Sequence, residues 1–404
     1  MTVRVSKPEF NLREKISELD KPSGLKGTEI MRSETSQEAR DLIGADRRNK
    51  IINGAMQVSQ RGTSQSGITA SGYKQAPDRF RINVSGPTIT ASQSTDSPDG
   101  FSNSYKIDIT TADTSITGSD RLILQTRLEG QDLQDFAKGT NSAKDFIFSF
   151  YCKSTKMGIF TVELQDTDNT GSGGARSVSR HFTISNTGWN RYEINFGADT
   201  VGAFDNDNNK SIDIFFWLVA GPSYSGGSSL KEQWAAHIDN RRAYGTSNGA
   251  DSTSNEFYFT GVQLEVGRNG GNATEFEHRS FAEELRLCYR YFVKMYGATA
   301  TGGGLSTGDG AIATMANWTD THCYGPIFMP VEMRIPPSLE DFSNLVYYSA
   351  GQTFTPSGSN ASFAGAATNR VEFRIANMTN MSQGNAGWLR VGSSAGYISF
   401  NSEL

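Results

Sequence analysis

At 404 residues the chain is long enough for two or three domains, each with a core of its own. Hydrophobic residues make up 36% and the 42 glycines sit among Ser, Thr, Asn and Asp between short apolar runs, a composition of β-sheet and turns. A formal net charge of −5 and the lack of a basic run argue against nucleic-acid binding. No stretch of 18 apolar residues points to a membrane span, and the opening residues carry no signal-peptide segment, so folding in the cytoplasm of the producing cell is expected.

Residues 1–48 are the most charged part. Leu12, Ile16 and Leu19 recur at helical spacing, which predicts a helix over 11–20. A second helix is signalled by Thr35 and Glu38 at capping-box spacing, an apolar stripe through Ala39, Leu42 and Ile43, and Gly44 at the C-cap. Two short amphipathic helices lack a core of their own, and the region reads as a docking or anchor arm.

From 49 to 280 the pattern alternates with period two, for example in Phe146-Ile147-Phe148-Ser149-Phe150 and Ile212-Asp213-Ile214-Phe215-Phe216-Trp217-Leu218. Short strands separated by turns predict a central antiparallel β-sandwich of jelly-roll type. Trp217, inside a dense apolar run, is expected in the core. Ser280 and Glu283 then form a capping box, and Phe281, Leu285, Cys288 and Phe292 make a stripe that predicts a linking helix over 281–292, a hinge or oligomer contact. Residues 293–404 return to β with heavy glycine punctuation, and Pro326, Pro330, Pro336 and Pro337 suggest edge strands in a small β-sandwich head. The chain thus reads as mainly β, with a helical anchor, a sandwich, one linking helix and a head.

Chemistry is sparse. The four histidines have no metal-ligand spacing, no GxSxG occurs, and no catalytic, cofactor or metal residue stands out. The run Asp205-Asn206-Asp207-Asn208-Asn209 alternates oxygen-bearing side chains, but Lys210 and Phe216 stand where a calcium loop needs Gly and Glu, so a solvated turn is expected. Cys152, Cys288 and Cys323 are far apart and read as buried thiols. Trp234, Trp318, Tyr324 and Trp388 lie in polar or loop-rich sequence and are candidate glycan platforms, because the apolar face of a sugar packs on an aromatic ring.

Asn49-Lys50-Ile51-Ile52-Asn53-Gly54, followed by Gln60-Arg61-Gly62-Thr63 and then Asp78-Arg79-Phe80, resembles an opening found in phage tail fibre and tail appendage proteins. Glu129-Gly130-Gln131-Asp132-Leu133-Gln134-Asp135-Phe136, Phe259-Thr260-Gly261-Val262-Gln263-Leu264-Glu265-Val266-Gly267, Ala273–Ser280 and Cys288-Tyr289-Arg290-Tyr291 are similar to the same group, with Tyr289 where relatives more often carry Gln. The resemblance covers 49–292 and extends loosely beyond. It implies a homotrimeric virion protein of the tail, a carbohydrate-binding-module-like sandwich, and a receptor-facing tip. Residues 1–48 would face a tail adaptor, nozzle or baseplate protein, and the β domains would meet host surface polysaccharide or lipopolysaccharide. It supplies no catalytic residues, so the chain is expected not to be an enzyme. A polysaccharide depolymerase, or a structural nozzle or capsid decoration, are the alternatives.

Overall fold

The computed structural model describes residues 30–33, 47–168, 175–267, 271–296, 305–306, 311–391 and 396–404. The chain divides into two compact units, 1–48 and 49–404. In the first unit only 30–33 and 47–48 are described, with a helical turn at 30–32. The helices expected around Leu12, Ile16, Leu42 and Ile43 lie outside the described residues.

The second unit is mainly β and built of antiparallel sheets, with one parallel pair, between the strands at 292–296 and 305–306. Its first lobe contains β1 (Ser64–Ile68), β2 (Gly72–Tyr73), β3 (Arg81–Ser85), β4 (Thr88–Ser94), β5 (Ser104–Thr111), β6 (Arg121–Glu129), β7 (Phe146–Ser154), β8 (Gly158–Asp166), β9 (Arg176–Ile184), β10 (Asn190–Asn195), β11 (Lys210–Ala220), β12 (Ala235–Ala236) and β13 (Glu256–Val266). These form a six-stranded sheet, β1-β4-β5-β13-β7-β10, and a seven-stranded sheet, β12-β9-β8-β11-β6-β3-β2. Alternation places one face of each strand in a shared core: Phe146, Phe148 and Phe150 of β7 meet Ile212, Ile214, Phe216 and Leu218 of β11. Phe150 and Phe216 pack edge to face at 4.9 Å, and Phe136 stacks on Phe146 at 4.0 Å. Each fully buried ring contributes about 1.5–3 kcal/mol through water exclusion, which carries most of the lobe's stability.

Trp217 is buried in a core cluster, as its dense apolar run suggests. It is fully buried but on the opposite face of β11, in a satellite cluster with Ile123, Phe215 and Ala243. The run is apolar at both parities because the outer face is also covered, by residues 221–246.

Helix α1 (Phe281–Tyr289) starts at Ser280, whose side chain accepts from the Glu283 N–H. It is shorter than predicted: Phe292 opens strand β14 and pairs with Asn401. Arg290 still carries helical dihedrals at the C-cap; its guanidinium donates to Glu129 at 2.7 and 2.6 Å and the Tyr291 hydroxyl to the same carboxylate, and the chain beyond is taken up by the ladder to Asn401.

The head lobe holds β14 (Phe292–Tyr296), β15 (Leu305–Ser306), β16 (Ala311–Asn317), β17 (Cys323–Phe328), β18 (Ser338–Ser343), β19 (Leu345–Ser349), β20 (Gln352–Phe354), β21 (Ala361–Ala367), β22 (Arg370–Ile375), β23 (Ala386–Val391) and β24 (Tyr397–Asn401). A four-stranded sheet, β15-β14-β24-β18, and a seven-stranded sheet, β20-β19-β23-β16-β17-β22-β21, enclose a second core. Pro326 lies in β17, an interior strand rather than the expected edge. The ladder to β16 ends at Tyr324, so beyond it β17 is paired on one side only and a missing N–H costs nothing on the other.

A buried polar cluster joins the lobes, and it is built from the sequence motifs. Arg79 ion-pairs with Glu403, lies over the Tyr291 ring at 3.4 Å, and donates to the Arg127 carbonyl. Arg61 pairs with Glu403 at 3.3 Å and covers the Phe292 ring. Gln60 donates to Asp78 at 2.7 Å and to the Phe292 carbonyl at 2.9 Å. Asn53 spans the Val58 and Asp78 carbonyls, and its N–H reaches Glu284 of α1. The Gln-Arg-Gly-Thr and Asp-Arg-Phe signatures therefore serve the seam between sandwich and head.

Candidate functional site

The covered outer face of the seven-stranded sandwich sheet carries the best-formed site. β11 turns Asp213, Phe215 and Trp217 outward. Register places Arg127, Gln125 and Ile123 of β6 on one side of them and Gln165, Glu163 and Thr161 of β8 on the other. Asn83 of β3 lies beyond Ile123. Residues of four strands thus form one patch of planar polar groups around an aromatic floor.

Residues 221–246 fold over one end. The Arg242 guanidinium lies 4.8 Å from the Phe215 ring and 4.9 Å from Trp217, and donates to both Glu163 oxygens at 3.0 Å. The Trp217 indole N–H donates to the same carboxylate at 2.9 Å. Asp213 accepts from Gln125 at 2.6 Å, Arg127 at 2.9 Å and Lys210 at 2.6 Å. Both carboxylates are held by cations, and the side chains around them are locked. What stays open is a cleft of about 220 Å³ lined by Asn83, Arg121, Gln125, Arg127, Asp213 and Arg242, with Tyr224 at its edge. Gln125 Oε1 is buried yet has no hydrogen-bond partner among the described residues. An acceptor in that position suits a ligand hydroxyl, since leaving it unmet costs about 1–3 kcal/mol. Amides, guanidinium and carboxylate thus line the cleft around an aromatic edge.

A second buried polar cluster draws in residues just before the turn at 205–209. Lys138, with a fully buried side chain, places its ammonium 2.5 Å from Asp166, 3.2 Å from Asp199 and 2.5 Å from the Gly202 carbonyl, beside the rings of Phe204 and Trp234. Arg176 holds Asp199 bidentately, both bonds at 2.7 Å. The oxygens near this turn surround an ammonium, and among the described residues no three His, Cys, Asp or Glu side chains converge as metal ligands. Asp207 instead caps its own turn by accepting from the Asn209 N–H.

The sequence-derived candidates separate. Trp234 packs against the sandwich core, 5.3 Å from the Phe146 ring, and donates to the Gly197 carbonyl. Trp318 is 71% and Trp388 56% exposed. Tyr324 and Trp388 share the outer face of the head's seven-stranded sheet, two strands apart. Cys288 is fully buried within its own chain and Leu285 packs on the head core, while Phe281 stays half exposed. Burial of most of the helix stripe thus needs no second copy. Cys152, Cys288 and Cys323 are buried free thiols, and burial pushes the Cys323 thiol up to about 12. The cleft residues Gln125, Arg127, Asp213 and Arg242 escaped the sequence reading. Their one local signal was the polar residue at alternate positions of otherwise apolar strands.

No family model matches the sequence, and no curated protein matches it. Among solved structures, the chain is similar to the enzymatically active domain of tailspike protein 4 of bacteriophage CBA120, at 11% identity and a TM-score of 0.29, over 54% of this chain and 21% of that one. It is also similar to the family 11 carbohydrate-binding module of a cellulosomal cellulase of Clostridium thermocellum, at 15% identity and a TM-score of 0.25, over 55% of this chain and 96% of the module. A family 22 carbohydrate-binding module of the same organism aligns at 14% identity and a TM-score of 0.26, over 46% of this chain and 86% of that one. The chain spans about a fifth of the tailspike domain's length.

Proposed function

We propose that the protein is a non-enzymatic, glycan-binding appendage of a phage tail, homotrimeric, with residues 1–48 toward the virion and the β lobes toward host surface polysaccharide or lipopolysaccharide. The cleft on the sandwich's outer face carries the glycan reading. Its planar donors and acceptors are pre-positioned by ion pairs, and Gln125 Oε1 is a buried acceptor that a sugar hydroxyl would satisfy. The tail assignment rests on the motif resemblance over 49–292. That the motif residues bind the lobes into one body fits a part that must transmit force without flexing.

The test is binding of the intact protein to an array of uncharged glycans and to host cells, alongside Gln125→Leu and Tyr224→Ala. Each variant should weaken binding by about tenfold, the equivalent of one lost hydrogen bond or ring contact. Unchanged binding in both variants refutes the cleft. No binding by the intact protein refutes the adhesive role. Release of reducing sugar ends from a bound polysaccharide refutes the non-enzymatic one.

A further inference from the structure

Among the described residues, no element covers the outer face of the head's seven-stranded sheet around Trp388, Arg390 and Glu372. Strict alternation keeps Tyr347, Leu389, Met315 and Phe373 in the core and turns their neighbours outward. Tyr348 pairs with Trp388, and their rings stack at 6.5 Å with planes 21° apart. The next row runs Ala386, Ala316, Tyr324, Arg374 across four adjacent strands. Thr314, Ala316 and Ala386 keep the floor low between Trp388 and Tyr324, a trough about 10 Å wide at two strand spacings.

Arg370, Arg374 and Arg390 stand on this face, with Glu372 as the carboxylate among them, in a chain whose net charge is −5. Among the described residues none of the three arginines is in an ion pair. Arg374 donates only to Ser362, and Arg390 lies 5.7 Å from the Tyr348 ring. Three guanidinium groups flanking exposed rings match a polymer that offers both sugar faces and anionic groups, because guanidinium meets carboxylate or phosphate bidentately. A second copy packed face to face would set arginine against arginine, which disfavours it as the occupant.

We infer that this face binds an acidic polysaccharide, with sugar rings on Trp388 and Tyr324 and the acid groups on Arg374 and Arg390. The inference rests on the reading of the chain as a glycan-binding protein, but places the anionic ligand at a site separate from the cleft. The experiment uses the intact protein and polygalacturonate at low and high salt, with dextran as the uncharged control. Trp388→Ala and Arg390→Gln should each weaken polygalacturonate binding about tenfold, and Trp388→Ala should lower the thermal midpoint by no more than the loss of its one cross-strand ring pair with Tyr348. Added salt should weaken binding further.

Polygalacturonate binding that ignores both substitutions overturns the inference, as does no binding at all. Loss of oligomers in sedimentation of Trp388→Ala overturns it too, since the face would then be an intersubunit contact. If polygalacturonate binding depends on Trp388 while the Gln125 and Tyr224 variants bind uncharged glycans normally, the cleft reading fails and this one stands. The converse result sinks this inference alone.

Discussion

Replacing Lys138 by Met keeps the length of the side chain and removes its charge. The ammonium is the direct partner of Asp166, and both side chains are fully buried. Asp199 keeps its two bonds from Arg176, whereas Asp166 loses its ammonium partner and retains the Asp168 N–H on its other oxygen. Removing one partner of a buried pair costs about 3–5 kcal/mol, so Lys138→Met should lower unfolding stability by that amount. Asp166→Asn in the same background removes the carboxylate charge that faced the ammonium and should recover a large share. Urea or guanidinium unfolding of the wild type, both single variants and the double gives the coupling energy. A coupling above about 2 kcal/mol is expected; one below about 0.5 kcal/mol, as for an exposed pair, refutes the view that Lys138 stands in for a structural cation.

Two further outcomes follow from the seam between the lobes. A Cβ on Gly54 would sit 2.1 Å from the Val262 carbonyl oxygen, so Gly54→Ala must displace backbone and should cost about 1–3 kcal/mol, read as a lower denaturation midpoint; an unchanged midpoint refutes the close approach. Burial raises the Asp78 carboxyl to about 6, against the pull of Arg61, whereas the unfolded chain ionises near its ordinary value of about 4. Between those values the folded protein holds a proton that the unfolded chain has lost, so Asp78's contribution to stability is full below about pH 4 and falls as pH rises to about 6. Subtracting the Asp78→Asn stability curve from the wild-type curve should show that fall, and a flat difference over the window rules it out.

Much of the architecture could be read before any coordinates. Period-two alternation located most strands of the sandwich, because a strand between a wet face and a core must alternate. The capping box marked the start of α1 at Ser280, since that end depends on one local hydrogen bond. The buried state of the three cysteines was equally local, following from their place among apolar neighbours.

What the sequence did not reveal was assembled across long separations. The helix was expected to reach Phe292, but Phe292 pairs with Asn401, more than 100 residues later, and Arg290 and Tyr291 are held by Glu129, more than 150 residues earlier. Trp217 was rightly read as core, but the sequence did not show that its cluster lies on the outer face of β11, because alternation does not say whether 221–246 will cover that face. Trp234 looked free in its polar neighbourhood, yet the fold lays it on Phe146 and Lys138. The cleft joins Asn83, Gln125, Asp213 and Arg242 from distant parts of the chain, and no local pattern encodes it. Local sequence determines which face each residue takes, through steric periodicity and short-range hydrogen bonds. Which groups then meet depends on strand order and register, and these are set only when the whole core closes.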